Sequence, residues 1–475
     1  MNKTFIYDKI SKNIAEKIKA GVLKSGERLP SVRTLSKQHG ISVNTAKKVY
    51  LELEAQSLVE AKPQSGYFVN SLKFLNIPLS KPSHPKPTFG YKEPNELIND
   101  VYSNMGRNDL TLFSIGIPSG NLLPLARLKK EIVLATRELR EGGTEYEPLQ
   151  GNAKLRRMIA SRSLSWEGNL HEHDIITTNG CMNALALCLM ALTKSGDVIA
   201  LESPCYPGIL QLAVSLGLKI LEIPTHPVTG INIDKLTTLL PKINVCLLVP
   251  NFNTPLGYCM PDENKKKVVE LLDKSNIPLI EDDTYGDLFF NDERPKCCKS
   301  FDQNGTVLWC GSVSKTLAPG YRVGWVAPGK YLERITKLKL VHSISSTTII
   351  HEAIGNFLMT GRYDNHLRNL RKTLLRNYKF YAHCISEHFP EGTKISQPQG
   401  GLALWVEFPK EINTTQLYDY ALTHKIGIAP GRMFTLQDQF QHCMRLCIGL
   451  PRANELYNKL KQVGALAKMI MARRR

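Results

Sequence analysis

The chain contains no apolar run that could cross a bilayer. A spanning helix needs about 18 or more consecutive apolar residues, and a stretch such as Ala184–Leu192 is too short and carries Cys188. Met1–Ile10 holds Lys3, Asp8 and Lys9 but no apolar core, so neither a cleaved secretion signal nor a membrane partner is expected. Cysteine is scarce and unpatterned: 11 in 475 residues, an odd number, without paired CxxC spacing. That argues against a disulfide framework and fits a reduced, cytoplasmic home. Cys443 and Cys447 lie near His442, but no second ligand pair follows, so no metal site is expected. Acid is short relative to base, with 43 Asp+Glu against 61 Lys+Arg and a formal charge of +18.

That excess is uneven. Residues 1–75 hold 13 basic and 6 acidic side chains, so +7 of the +18 arises there. Such a segment suits a polyanion partner, and equally a solvated surface. Hydrophobic residues at 42% and charged ones at 22% exclude a disordered chain. Pro78, Pro82, Pro85, Pro87 and Pro94, interspersed with Lys73, Lys81, Lys86 and Lys92, predict an extended, semi-rigid linker over 73–94. It separates a small basic domain, 1–72, from a large one, 95–475.

In the small domain Ile6, Ile10, Ile14 and Ile18 recur every four residues and make one helical stripe closed by Gly21. Ser31 can cap a second short helix ended by Gly40. Ser42 can cap a third, with Ala46, Val49, Tyr50 and Leu53 inward. Leu58–Glu60 and Tyr67–Val69, around a turn at 63–66, predict a two-stranded wing. These are helix-turn-helix proportions, and a recognition helix places its first turn in the major groove. Ser42, Asn44, Thr45 and Lys47 project there. Asn and Thr suit base edges, and lysine suits phosphate.

The runs Gly26-Glu-Arg-Leu-Pro-Ser-Val-Arg33 and Ile41-Ser-Val-Asn-Thr-Ala-Lys-Lys-Val-Tyr50 closely resemble the GntR family of DNA-binding domains. The resemblance implies double-stranded DNA as partner and assigns Arg33 to its backbone, with Arg28 as a second contact. Where other members carry arginine in the third helix, this chain has Val43 and Lys47, which leaves fewer bidentate guanine contacts.

The large domain alternates strand-like runs with helical stretches, which predicts an α/β fold with a mostly parallel sheet. Its polar clusters sit just past the strands, where sites form in such sheets. In Gly311-Ser-Val-Ser-Lys315-Thr-Leu-Ala-Pro-Gly320-Tyr-Arg322-Val-Gly324 a lysine follows a strand, between hydroxyls and before an arginine. That order suits an aldehyde-phosphate cofactor: Lys315 supplies the Schiff-base amine, and Ser312, Ser314 and Arg322 supply phosphate ligands. Glu281-Asp-Asp-Thr-Tyr285 ends another strand. A carboxylate there keeps a pyridinium nitrogen protonated, and Tyr285 can bond the ring's phenolic oxygen. The D-x-x-Y spacing favours Asp282, with Asp283 as the alternative. The N–H groups of Gly180, Cys181 and Met182, at a helix start, can hold phosphate. Tyr206 can stack on the ring or simply pack.

Together these words resemble fold-type I pyridoxal-phosphate enzymes of aminotransferase class I/II, over about residues 110–465. The resemblance implies pyridoxal 5'-phosphate as cofactor. Tyr146-Glu-Pro-Leu-Gln-Gly151 with Leu155-Arg156 matches the family's YxxxxGxxxLR, which implies a homodimer in which Tyr146 reaches the neighbouring subunit's phosphate. Arg445 matches the arginine that grips a substrate α-carboxylate. Thr254, in Pro250-Asn-Phe-Asn-Thr254-Pro-Leu-Gly257, stands where the family has the asparagine that holds the phenolic oxygen.

A GntR-type winged helix, a linker and an aminotransferase-like domain in this order resemble the MocR subfamily of regulators. That implies a transcriptional regulator whose large domain senses pyridoxal phosphate, or an amino compound through an external aldimine. The alternative is a working aminotransferase that carries a DNA-binding head, and Thr254 makes weak or vestigial transamination the expectation. A head that binds protein instead of DNA would show no salt-dependent DNA affinity.

Overall fold

The computed structural model describes residues 6–55, 58–62, 65–70, 79, 82–85 and 96–473. In the small domain, helix α1 (Ile6–Lys19) buries Ile10 and Ile18, while Ile6 in its first turn stays exposed. Helix α2 (Val32–His39) begins where Ser31 Oγ accepts the Thr34 N–H, and stops at Gly40, whose φ of 60° is a left-handed cap. Helix α3 (Val43–Ala55) begins where Ser42 Oγ accepts the Thr45 N–H at 3.1 Å. Its Ala46, Val49, Tyr50 and Leu53 are fully buried. Strands β1 (Val59–Lys62) and β2 (Gly66–Val69) pair antiparallel, with Val59 opposite Val69. Tyr50 stacks on Tyr67 with ring centroids 4.2 Å apart, which pins the wing to α3.

Of the proline-rich segment, residues 73–78, 80–81 and 86–94 lie outside the described residues. Its centre is not a free spacer. Ser83 N donates to Thr225 O at 3.3 Å, and Thr225 N donates to Ser83 Oγ at 2.8 Å, which fastens the segment to the large unit.

After helix α4 (Glu96–Ser103) the large unit is built on one eight-stranded sheet. Its strands are β3 (Ile176–Thr178), β4 (Val198–Ser203), β5 (Lys219–His226), β6 (Gly230–Ile231), β7 (Val245–Leu248), β8 (Leu279–Asp282), β9 (Val307–Ser312) and β10 (Gly324–Ala327). Their order is β3-β10-β9-β8-β7-β4-β5-β6. The run from β9 to β5 is parallel throughout, and β10 is antiparallel to both of its neighbours. Strands β4, β7, β8 and β9 are buried at every position, as expected for a sheet covered on both faces. Helix α5 (Cys181–Leu192) follows β3, and the long helix α6 (Arg362–His388) leads to a smaller four-stranded sheet. At its centre β11 (Ala403–Glu407) pairs with β12 (Cys443–Cys447), Trp405 opposite Arg445. Because β4, β8 and β9 run the same way, their last residues Ser203, Asp282 and Ser312 share one rim.

Candidate functional site

On that rim Cys181, Met182, Tyr206, Asp282, Tyr285, Ser312, Ser314, Lys315 and Arg322 line one cavity of about 170 Å³, together with Thr254 and Thr284. Lys315 lies three residues past the end of β9, and its Nζ donates to Gly116 O at 2.8 Å. Burial first, then the Arg445 guanidinium, push its pKa down to about 8. Near neutral pH part of its population is therefore the free amine, the form that attacks carbonyls.

Arg445 is 4% exposed on β12. Its Nη2 donates to Ser114 O at 2.5 Å, and its Nε has no partner. Among the described residues no carboxylate pairs with it. A buried, uncompensated guanidinium is costly, and a ligand carboxylate would satisfy its planar fork.

The adjacent acids separate cleanly. Asp282 Oδ1 accepts from Thr284 N at 3.0 Å, Thr284 Oγ1 at 2.5 Å and Cys181 Sγ at 3.5 Å, which leaves Oδ2 to the cavity. Burial raises its pKa. Asp283 turns away and is consumed by Arg294 at 2.5 Å, Trp309 Nε1 at 2.9 Å and Asn251 Nδ2 at 2.9 Å.

Also on the cavity wall, Arg322, at φ 53°, donates from Nη1 to Ser314 Oγ at 3.3 Å. Ser314 N donates to Ser312 Oγ at 3.3 Å. Gly180 corrects the expectation of three free amides: its N–H is spent on Thr178 O at 2.9 Å, so Cys181 and Met182 alone head the positive end of α5. Gly180 contributes room instead, since a Cβ there would sit 2.2 Å from Arg322 Nη2. At Gly324 a Cβ would sit 2.5 Å from the Gly180 carbonyl carbon, which explains the glycine two residues after Arg322.

Asn253 does not replace the asparagine missing at 254. Its Nδ2 donates to Glu202 at 2.8 Å, and its Oδ1 accepts from Leu256 N at 3.2 Å. Glu202, pushed up to about 7 by burial, is also bonded by Tyr258. Tyr285 is buried and its pKa is raised, so its phenol stays a donor. Two features went unread in the sequence. Tyr102 on α4 reaches Tyr206 in the cavity wall, and Gly116 leaves room for the Arg445 guanidinium, whose Nη1 would lie 2.9 Å from a Cβ there. Tyr146 stands apart, 78% exposed on the surface and outside this cavity. A flat ring, an amine-reactive carbonyl and a phosphate fit this donor set, which brings a carboxylate, an anion cradle and a depressed lysine to one cavity.

Known proteins give the same picture. Residues 108–457 match the family model for aminotransferase class I and II, and residues 6–69 match that for bacterial regulatory proteins of the gntR family. The uncharacterized HTH-type transcriptional regulator YjiR of Escherichia coli (strain K12) is 35% identical over 96% of this chain and 98% of its own length. The corresponding figures for YdcR of the same organism, also an uncharacterized HTH-type transcriptional regulator, are 32%, 97% and 98%. The chain belongs to the MocR subfamily of GntR-type transcriptional regulators. Its large unit has the fold-type I aminotransferase fold. The multiple substrate aminotransferase of Thermococcus profundus superposes with a TM-score of 0.73 at 23% identity, covering 79% of this chain and 95% of that one. LysN of Thermus thermophilus, an α-aminoadipate aminotransferase solved with N-(5'-phosphopyridoxyl)-L-leucine, gives 0.73 at 22% over the same shares.

In this MocR regulator the head presents Arg28, Arg33, Asn44 and Lys47 to solvent. Among the described residues none of the three cations makes a salt bridge. Arg28 bridges to Phe68 of the wing, and its guanidinium lies 3.7 Å from where a Gly66 Cβ would be. Ser42 and Thr45 are already engaged with each other: the hydroxyls lie 2.8 Å apart, and Ser42 Oγ caps α3. The structure therefore spends two of the four predicted recognition side chains on holding the helix.

Proposed function

We propose that this MocR regulator holds pyridoxal 5'-phosphate at Lys315 and senses a carboxylate-bearing amino compound at Arg445. The observation that carries the reading is the pair of cations, half-buried Lys315 and buried Arg445, with no acid beside Arg445 among the described residues. When bound, pyridoxal phosphate supplies an aldehyde that captures primary amines and an electron-withdrawing ring. Asp282 holds the ring nitrogen's proton, Tyr285 bonds the phenolic oxygen, and Tyr206 covers the ring. Cys181 N, Met182 N, Ser312, Ser314 and Arg322 bind the phosphate, and Tyr146 completes it from the other chain of a homodimer. The head, within residues 1–72, engages double-stranded DNA in the cytoplasm: Arg28, Arg33 and Lys47 on phosphates, Asn44 on a base edge, Ser42 and Thr45 at the groove. Thr254 with a committed Asn253 supports sensing over efficient transamination. The test is an anisotropy titration against DNA from upstream of the gene, beside a scrambled duplex, with absorbance following the cofactor. Sequence-specific binding and a visible band lost in Lys315→Ala are expected. A band that survives Lys315→Ala, or equal affinity for both duplexes, defeats the reading.

A further inference from the structure

Helix α6 touches three functional parts of the molecule. Near its start Tyr363 Oη donates to Thr316 Oγ1 at 2.7 Å, and His366 Nε2 meets Thr316 O at 2.6 Å. Thr316 is the residue after Lys315. About 20 Å along the same helix, at roughly 1.5 Å per residue, Asn377 Nδ2 donates to Ile448 O and Leu450 O, both at 2.8 Å. Those carbonyls lie just past β12, the strand that carries Arg445. Next to Asn377, Arg376 Nη2 donates to Glu52 Oε2 at 3.0 Å. Glu52 belongs to α3 of the head.

Tyr363, His366 and Asn377 are buried, so a shift at Lys315 or beyond Arg445 must carry α6 with it or break these bonds. Helix α3 is polarised in turn. Its first turns carry Asn44 and Lys47, and its later ones carry Glu52 and Glu54. A phosphate backbone repels those acids. Glu52 meets Arg376, and Glu54 lies in the field of Arg452. The Arg376 and Glu52 side chains are 36% and 30% exposed, and an ion pair that wet is weak, as a contact that opens and closes needs to be.

We propose that α6 couples the lysine site to the DNA-binding head through the Arg376–Glu52 ion pair, so that filling the site changes how firmly the head is held. The proposal rests on Lys315 being the cofactor lysine. By linkage, the ligand then alters DNA affinity by the free-energy difference between held and released heads.

The test uses the full-length protein, stripped of and then loaded with pyridoxal phosphate. DNA affinity is measured in both states for the native chain, Glu52→Lys, Arg376→Glu and the double swap. The ratio of the two affinities is the readout, because Glu52→Lys adds a cation to the head and strengthens DNA binding in both states. Loading is expected to change the native affinity about threefold or more, in the range of a weak coupling. Each single reversal should at least halve that response, and the swap should restore it. A native protein that binds both cofactor and DNA yet shows no response overturns the proposal. So does a response that survives both single reversals, or a swap that fails to restore it. Absence of the cofactor band or of specific DNA binding would instead defeat the functional reading, and the coupling with it.

Discussion

The lysine at the centre of the site is set for reaction by what surrounds it. Lys315 is half-buried and lies near Arg445, and desolvation first, then the neighbouring guanidinium, disfavour its ammonium form, lowering its pKa to about 8 from the usual 10.5. Below pH 8 the side chain is mostly protonated and unreactive, and above it mostly neutral. The rate at which the cofactor band develops in stripped protein should therefore rise from pH 6.5 to about 8.5 and then level off. Stopped-flow absorbance across pH 6–10 reads this directly. A rate still climbing tenfold per unit beyond pH 9.5 would mean the amine titrates like a solvent-exposed lysine. Arg445→Gln removes the second-largest cause, so the midpoint should move upward.

At the scale of single elements, the capping serines carry a consequence for how the head is dissected. Ser42 Oγ satisfies the Thr45 N–H, and loss of such a cap costs about 1 kcal/mol. Ser42→Ala should destabilise the head by about that much in thermal unfolding and weaken binding to operator and scrambled DNA alike. Asn44→Ala should leave stability unchanged and erode the preference for the operator. The reverse pattern would put Ser42 on a base and Asn44 in a structural role. This distinction was only half legible in the sequence. Ser31, Gly40 and Ser42 announced the helix ends because caps are local, and the residues after β8 and β9 announced the cavity because each motif is contiguous. What pattern could not show is how side chains divide their bonds. Ser42 and Thr45 bond each other, Gly180 N–H turns back to Thr178, and Asp283 rather than Asp282 is taken by Arg294. Contacts between distant segments were equally silent: Ser83 docks on Thr225, Tyr102 bonds Tyr206 of the cavity wall, and Arg376 finds Glu52.

At the scale of the whole molecule, Tyr146 stands apart from the cavity that a single chain forms. It is 78% exposed, whereas Asp282, Tyr285, Ser312 and Ser314 are all buried. Its segment is nevertheless held rigidly. Glu147 beside it bonds His351 Nδ1 at 3.1 Å and Ser346 N at 3.3 Å, so Tyr146 projects outward from a fixed base. An exposed aromatic on a rigid base suits a residue that serves a neighbour, and a two-fold dimer makes the exchange mutual. Tyr146→Phe should then weaken cofactor binding on the order of tenfold to a hundredfold, the loss of about 1.5–3 kcal/mol typical of a hydrogen bond to a charged group. Mixing decides where that bond is made. Lys315→Ala chains have no cofactor lysine, and Tyr146→Phe chains lack the phenol. If Tyr146 acts across the interface, each mixed dimer contains one site with both native residues, and random exchange of equal amounts restores full-affinity binding to about a quarter of all sites. If Tyr146 serves its own chain, no mixture contains such a site, and the titration shows the weakened class alone.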